Sequence, residues 1–453
     1  MKILFCIYEL DYADHIAIAH LSAIAKKRDH QTFFCALTDY PTVLNSYKPD
    51  IVAYSLNVYG YKEMIDAHKL AKTKHNFLSI AGGPQITFAP QDFENTAIDA
   101  FCVGEGDLVF DDFLKCVENN ESYDNVLNII TKEKINPIRP LISDLNILHE
   151  ADRDLVLNNS FLKNTPKKTF YATRGCPFFC HYCANSAYRA LYKGKGKSAR
   201  RFSPDRIIDE IQRVRKNYRT EFIKFGDDLF ALKADSWLDA FTRRYKKEVD
   251  LPFNCYLRID HVDKDLLAML KSANCYSVHL SVDSMSEHVR EAVLGRHMQK
   301  IDVTKTARMI ADTGIRTWVN FMLAAPESTV KDDMDIIDFG YKGKVTYLAC
   351  STTVPMNGTK LYEYSLQKGI LDPTYVGDMT DCSKKSPYKS FSEREKEIRY
   401  NIFLLGSFAA KLPNPLRACM KLLIRYIKPN KLFIFVRDKY YKYSIENRIF
   451  KLA

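Results

Sequence analysis

The sequence predicts an α/β protein of two tandem units with a helical extension, and three observations carry that prediction. Short continuous apolar runs alternate with amphipathic stretches from residue 1 to about 120. The alternation restarts near residue 168 and repeats six times, and beyond about residue 370 the pattern turns mostly helical. Apolar runs bounded by helices suit parallel sheets covered on both faces, because each strand then buries both of its sides. At 453 residues, 46% of them hydrophobic, the chain can fill two or three packed cores.

The first series reads KILFCIY, the helical HIAIAHLSAIAKKR, TFFCAL, IVAYSL, the helical YKEMIDAHKLAKTK, FLSIAGG and DAFCVGEG before DLVFDDFLKCV. This predicts a Rossmann-like, doubly wound domain over residues 1–135. Weak periodicity, Pro137 and Pro140 make 136–165 a connector. The second series begins with KTFYAT. It continues through EFIKFGDD, PFNCYLRID, YSVHLSVDS, IRTWVNFMLAAP and VTYLACSTTVP, separated by helices such as PDRIIDEIQRVRKNY, which Ser203 and Pro204 start well. Six strand–helix repeats predict a partial (β/α)6 TIM-type barrel over 166–370. Residues 371–453 form a basic, mostly helical C-terminal extension.

The net charge of +11 suggests nucleic acid until it is located. Ten Lys and Arg face only Asp438 and Glu446 from Pro413 onward, so +8 belongs to the tail and +3 to the rest. Together with the lack of an aromatic–basic recognition motif, this makes a nucleic-acid-binding metalloprotein the weaker alternative. Within the tail, Leu416, Met420, Leu423 and Ile427 form one helical stripe and Arg417, Lys421, Arg425 and Lys428 another. That is the layout of a basic helix at a membrane surface or on an anionic partner, the alternative being a helix docked on the barrel with a solvated basic face. MKILFCIYEL is too short and acidic for a signal peptide, and no apolar run is long enough to span a bilayer. A cytoplasmic protein is expected, with peripheral membrane association through the tail as an option. In that compartment twelve cysteines stay reduced. Nine are scattered singly, and most of them read as small buried hydrophobes.

The other three are clustered. Arg174-Gly175-Cys176-Pro177-Phe178-Phe179-Cys180-His181-Tyr182-Cys183 places CxxxCxxC at the end of the first barrel strand. Three thiolates on one loop can each take a corner of a four-iron, four-sulfur cube and leave the fourth iron open to chelation by a cofactor's amino and carboxylate groups. The alternative is a structural zinc with His181 as fourth ligand, but no second cysteine pair stands at distance. Gly82-Gly83-Pro84 and Gly104-Glu105-Gly106-Asp107 follow strands of the first domain, where a missing side chain lets a backbone approach a large ligand.

These residues resemble the radical S-adenosylmethionine superfamily, and the first domain resembles the cobalamin-binding domain that precedes the barrel in one of its branches. The resemblance implies a 4Fe-4S cluster on Cys176, Cys180 and Cys183, with Tyr182 near the adenine of S-adenosylmethionine. It implies a contact of Gly226-Asp227-Asp228 with the cofactor's amino group, although both acids are also placed to cap a helix. Asp283-Ser284 stands where relatives carry a Glu-Ser pair that holds the ribose. Arg258 is either a partner of the cofactor carboxylate or a structural ion pair. Pro326-Glu327 and Pro355-Met356-Asn357-Gly358-Thr359 resemble family turns, and the Lys193-Gly194-Lys195-Gly196-Lys197 run is either a contact for an anionic substrate or a solvated loop.

For cobalamin the resemblance implies Ser55, Gly82, Gly83 and Gly104. The Asp-x-His-x-x-Gly motif that ligates cobalt from below is missing from Asp11-Tyr12-Ala13-Asp14-His15-Ile16. The implied reaction is methyl transfer to an unactivated carbon through a deoxyadenosyl radical, the alternative being rearrangement, cyclisation or carbon coupling without methyl transfer. The implied partners are a small-molecule, lipid or glycan substrate and a flavodoxin- or ferredoxin-type electron donor. No residue is singled out as catalytic.

Overall fold

The structure, a computed structural model, describes every residue except 11–13, 94, 95, 376, 378 and 453. Part of the Asp11–Ile16 segment therefore lies outside the described residues. The chain divides into two compact units. One comprises Met1–Thr165, Ala187–Phe202 and Arg213–Arg219, and the other Pro166–Ser186, Ser203–Gln212 and Thr220–Ala453.

The first unit is built on β1 (Lys2–Ile7), β2 (Gln31–Ala36), β3 (Ile51–Ser55), β4 (Leu78–Gly82), β5 (Ala100–Cys102) and β6 (Ile129–Ile130), in the order β2-β1-β3-β4-β5-β6. The pairs are parallel except β5–β6, an antiparallel edge that the sequence did not signal. Alternate residues of β1 face opposite sides. Leu4 and Cys6 join the core under the helices Tyr40–Tyr47 and Tyr61–Lys72, while Phe5 meets Phe110 of the helix Asp107–Glu118 at 5.9 Å. The strand order reverses between β1 and β3, and in register Ser55 lies between Ile7 and Gly82 at the carboxyl edge. This switch point is where open parallel sheets bind ligands.

Residues 136–165 hold the helix Arg153–Asn158 and are tied to the helix Ile16–Lys27. Asp152 accepts from Ser22 (2.6 Å) and Lys26 (2.7 Å), and Arg153 pairs with buried Asp14 (2.6 Å). The segment Ala187–Phe202 also belongs here. Arg200 pairs with Glu105, and Leu141 N–H donates to Lys195 O at 2.7 Å, so the Lys193–Lys197 run is part of a turn bonded to residue 141.

In the second unit, β7 (Lys167–Phe170), β8 (Phe222–Phe225), β9 (Phe253–Tyr256), β10 (Cys275–Asp283), β11 (Arg316–Leu323) and β12 (Tyr347–Thr352) form an all-parallel sheet in sequence order, a partial barrel of six strands. The C-terminal residues close its lower end. Ser277 donates to Ile449 O at 2.8 Å, and Phe450 packs on Phe222 at 5.7 Å beneath Lys167. Part of the basic tail is thus a plug, which composition alone concealed. Above it the rings of Tyr256, His279 and Trp318 stack at 4.2 and 4.5 Å. Asn320 bonds His279 at 2.8 Å, and burial lowers the imidazole pKa to about 3, so this histidine is neutral packing.

The helix Glu393–Ala409 starts on a capping box of Ser392 and Glu395. It is locked to the barrel helix Val330–Lys342 by Arg399, whose Nε lies 2.6 Å from Asp333. Both side chains are buried, and burial raises Asp333 to about 6 even beside the guanidinium. The helices Asn414–Tyr426 and Lys431–Tyr443 follow. The helix Asn414–Tyr426 does not present the basic stripe its sequence suggested. Arg417 is buried against Asp338 (3.1 Å) and Tyr341 (3.8 Å), and Lys421 reaches the same Asp338 at 2.5 Å.

Arg399→Ala strands the Asp333 carboxylate without its partner and is expected to lower unfolding stability by about 3–5 kcal/mol in urea titration. An unchanged midpoint would mean that the pair does not hold the extension to the barrel.

Candidate functional site

The loop after β7 carries the three cysteines, and its root is fixed from β8. Asp227, 2% exposed, accepts on Oδ1 from Ala172 N–H (2.8 Å), Thr173 N–H (2.5 Å) and the Thr173 hydroxyl (2.8 Å). These bonds lie two to three residues before Gly175, whose φ of 76° turns the chain into Cys176. The other carboxylate oxygen has no partner, and burial raises Asp227 to about 7. Asp227 is therefore a clamp on the cysteine loop rather than the helix cap considered from sequence. Gly226 serves packing, since a Cβ there would stand 2.8 Å from the Tyr171 ring.

Cys180 is buried, while Cys176 and Cys183 are half-buried. Burial raises both of those thiols, Cys183 to about 11, and both feel the charges of Cys180 and Asp228. Asn185 donates to the Cys183 sulfur at 3.8 Å, and Ser186 to Cys180 O at 2.6 Å. Thiolates around one zinc sit about 3.8 Å apart, as its bond length of about 2.3 Å and tetrahedral geometry require. Among the described residues no three His, Cys, Asp or Glu side chains converge closely enough for a single ion. The proposed fourth zinc ligand also points elsewhere: His181 Nδ1 donates to Val293 O at 3.0 Å, and its ring fills the place a Cβ on Gly295 would take. His181 is thus held by the backbone of residue 293 and is not placed as the fourth ligand of a Cys3His zinc site.

A second anchor involves Tyr182. Its hydroxyl donates to Asp283 Oδ2 at 2.5 Å, Arg296 Nε approaches the same oxygen at 2.9 Å, and Ser281 bonds Oδ1. Asp283 has φ 71°, a left-handed conformation that Asp tolerates better than most residues. The carboxylate expected to face a ribose thus already has protein donors on both oxygens. Neighbouring Ser284 is buried, and its carbonyl accepts from Arg290 at 2.6 Å. Arg258 lies in an ion pair with Asp260 (2.7 Å) and stacks on Phe178 of the cysteine loop at 3.8 Å, so the structural reading of this arginine is the one observed. The roles of Arg296 and His181 were not read from the sequence, because single residues that bond across more than ten positions leave no local signal.

Cys176, Cys180, Cys183, Tyr182, Asp227, Asp228, Arg258 and Asp283 therefore gather around one loop at the carboxyl end of the barrel. There TIM-type barrels place their sites. Residues 170–340 match the sequence model of the Radical SAM superfamily. The barrel is a radical SAM domain. The chain is 26% identical over 401 residues to an uncharacterized methyltransferase of Pyrococcus horikoshii, covering 83% of this chain and 85% of that one. It is 25% identical over 309 residues to a bacteriochlorophyllide d C-8(2)-methyltransferase of Chlorobaculum tepidum, covering 64% and 63%. Its fold is similar to that of the radical S-adenosylmethionine methyltransferase TsrM of Kitasatospora setae, with a TM-score of 0.70, 13% identity, and 97% and 99% of the two chains covered.

In the first unit the glycines do not all open space for a ligand as expected. A Cβ on Gly83 (φ 108°) would lie 2.6 Å from Leu56 O, and one on Gly104 (φ 85°) would fall on the Tyr192 hydroxyl. That hydroxyl accepts from Glu105 N–H at 2.8 Å, so the chain itself fills the place beside Gly104. Gly82 keeps ordinary clearance, 3.7 Å from Cys102 O, beside half-buried Ser55, and so does Gly106, 3.7 Å from the Cys102 sulfur.

The Asp227 shift sets a pH dependence. Its folded pKa of about 7 lies above the usual carboxylate value of 3.8, so between these limits the folded state binds a proton that the unfolded state has lost. Stability contributed by this group is full below the unfolded value and falls as pH rises toward 7. Asp227→Asn keeps the accepting oxygen and is expected to flatten this fall by up to one proton in urea titrations across that range. An identical slope in wild type and variant would place the shift elsewhere.

Proposed function

We propose that the protein is a cobalamin-dependent radical S-adenosylmethionine methyltransferase acting on an unactivated carbon. The observation that carries this reading is the three-cysteine loop on a radical SAM domain, in a chain whose alignment with a methyltransferase-named relative extends across most of both proteins. When bound, the cluster with S-adenosylmethionine supplies a deoxyadenosyl radical, and cobalamin carries the methyl group. Cys176, Cys180 and Cys183 would hold the cluster. Asp227 fixes the loop that presents them, and Asp283 with Arg296 fixes Tyr182, the residue assigned to the adenine. Asp228, beside the thiols and bonded by Asn185, is the carboxylate proposed to meet the cofactor's amino group; burial raises its pKa. Stacked Phe178 and Arg258 cover one side of the loop against water.

For cobalamin, the edge formed by Ser55 and Gly82 at the switch point is the part of the first unit that suits a ligand, and the sequence carries no Asp-x-His-x-x-Gly motif after the first strand. A small-molecule substrate, or one of lipid or glycan type, a flavodoxin- or ferredoxin-type electron donor, and peripheral contact of the tail with a membrane complete the reading. A cytoplasmic location goes with it.

Equilibrium dialysis tests the cobalamin assignment. The full-length protein is expected to retain cobalamin, with an absorption spectrum unchanged in His15→Ala and His20→Ala, and Gly82→Leu is expected to weaken retention at least tenfold. Well-folded protein that retains none would leave a radical reaction without methyl transfer, which product mass identifies.

A further inference from the structure

We propose that the outer face of the last two helices docks onto the surface of an anionic lipid bilayer. The inference is independent of the reaction and gives the tail a partner of defined chemistry. The helices Asn414–Tyr426 and Lys431–Tyr443 each bury one stripe. Ile424 and Phe433 point inward, and Asn401 holds the turn between the helices by donating to Ile424 O (3.0 Å) and Ile427 O (2.8 Å). The opposite face of such a surface helix is ordinarily polar.

Here it is not. Leu416, Cys419, Leu423 and Tyr426 repeat at i, i+3, i+7 and i+10 on the first helix, all exposed, with Leu422 beside them. On the second helix Leu432, Phe435, Lys439 and Lys442 repeat the spacing, also exposed. Ten of the eighteen exposed large hydrophobics among the described residues fall between 416 and 443, with Tyr426 at 67% and Leu432 at 65% exposure. Arg425, Lys428, Lys431, Lys439 and Lys442 are exposed among them, while the one acid of the face, Asp438, is paired with Arg437 at 2.9 Å.

Charge selects the occupant. The centres of protein–protein interfaces are depleted in lysine, and a two-fold contact would set these five cations against their own copies. A bilayer surface takes both components at once, with Leu, Phe and Tyr entering the headgroup boundary and Lys and Arg meeting lipid phosphates. No helix among the described residues is long and apolar enough to cross the membrane, so the contact is peripheral.

The test is co-sedimentation of the cluster-loaded full-length protein with phosphatidylcholine vesicles, with and without phosphatidylglycerol. Binding is expected with phosphatidylglycerol and to weaken as salt rises. At about 1 kcal/mol per cation, the triple change Lys428→Gln, Lys431→Gln, Lys442→Gln should cost on the order of 100-fold in affinity. Leu423→Ser with Phe435→Ser should weaken binding while leaving the buried stripe intact. Equal pelleting with and without anionic lipid, or none with either, overturns the proposal. So does a concentration-dependent dimer that the Leu423→Ser, Phe435→Ser protein loses, because the occupant is then a second copy. S-adenosylmethionine cleavage by the same samples reports separately on the enzyme reading.

Discussion

A buried carboxylate at the root of the cysteine loop is the constraint on which the site depends. Asp227 gathers three donors from Ala172 and Thr173 with one oxygen, and the backbone is thereby fixed just before Gly175 turns it toward Cys176. A thiol set on a free loop would pay the ordering entropy at the moment of metal binding; here folding of the barrel meets most of that cost in advance. The far end of the loop is fixed as well. His181 bonds the 293–294 backbone, and Tyr182 enters the Asp283–Arg296 knot. The unpartnered oxygen of Asp227 and the left-handed backbone of Asp283 are local strains, and both fall beside the site.

The fold was legible where burial is two-sided. Most strands of the parallel sheets answer to an apolar run, from KILFCI to YLACST, because a covered parallel strand buries both faces, although the barrel strands also bury Lys168, Thr169, Asn254, Ser277 and Thr317. Strand β6 escaped, since two residues paired at an antiparallel edge carry no periodicity. The allotment of Ala187–Phe202 to the first unit escaped too. It depends on Tyr192 meeting Gly104 and Glu105 and on Arg200 meeting Glu105, contacts spanning more than eighty residues.

The site was legible in its ligands and less so in its supports. Spacing singles out Cys176, Cys180 and Cys183 as the proposed ligands because one short loop can offer three thiolates to one cluster. Asp227, Asp283 and Arg258 were recognisable as notable residues at strand ends, but their partners were not. Whether a carboxylate clamps a loop or meets a ligand is decided by distances of a few ångströms that residue order does not encode. The tail shows the same limit. Its composition gave the charge, while only the structure separates Arg417 and Lys421, turned inward to Asp338, from the lysines left outside.

The central claim is that the cysteine loop holds an iron–sulfur cluster with one open iron. Anaerobic reconstitution followed by metal analysis and reduction in the presence of S-adenosylmethionine tests it most directly. The account predicts about four irons per chain and release of deoxyadenosine, both lost in Cys176→Ala, Cys180→Ala or Cys183→Ala and both retained in His181→Ala. One zinc per chain, no iron, and no cleavage would contradict it.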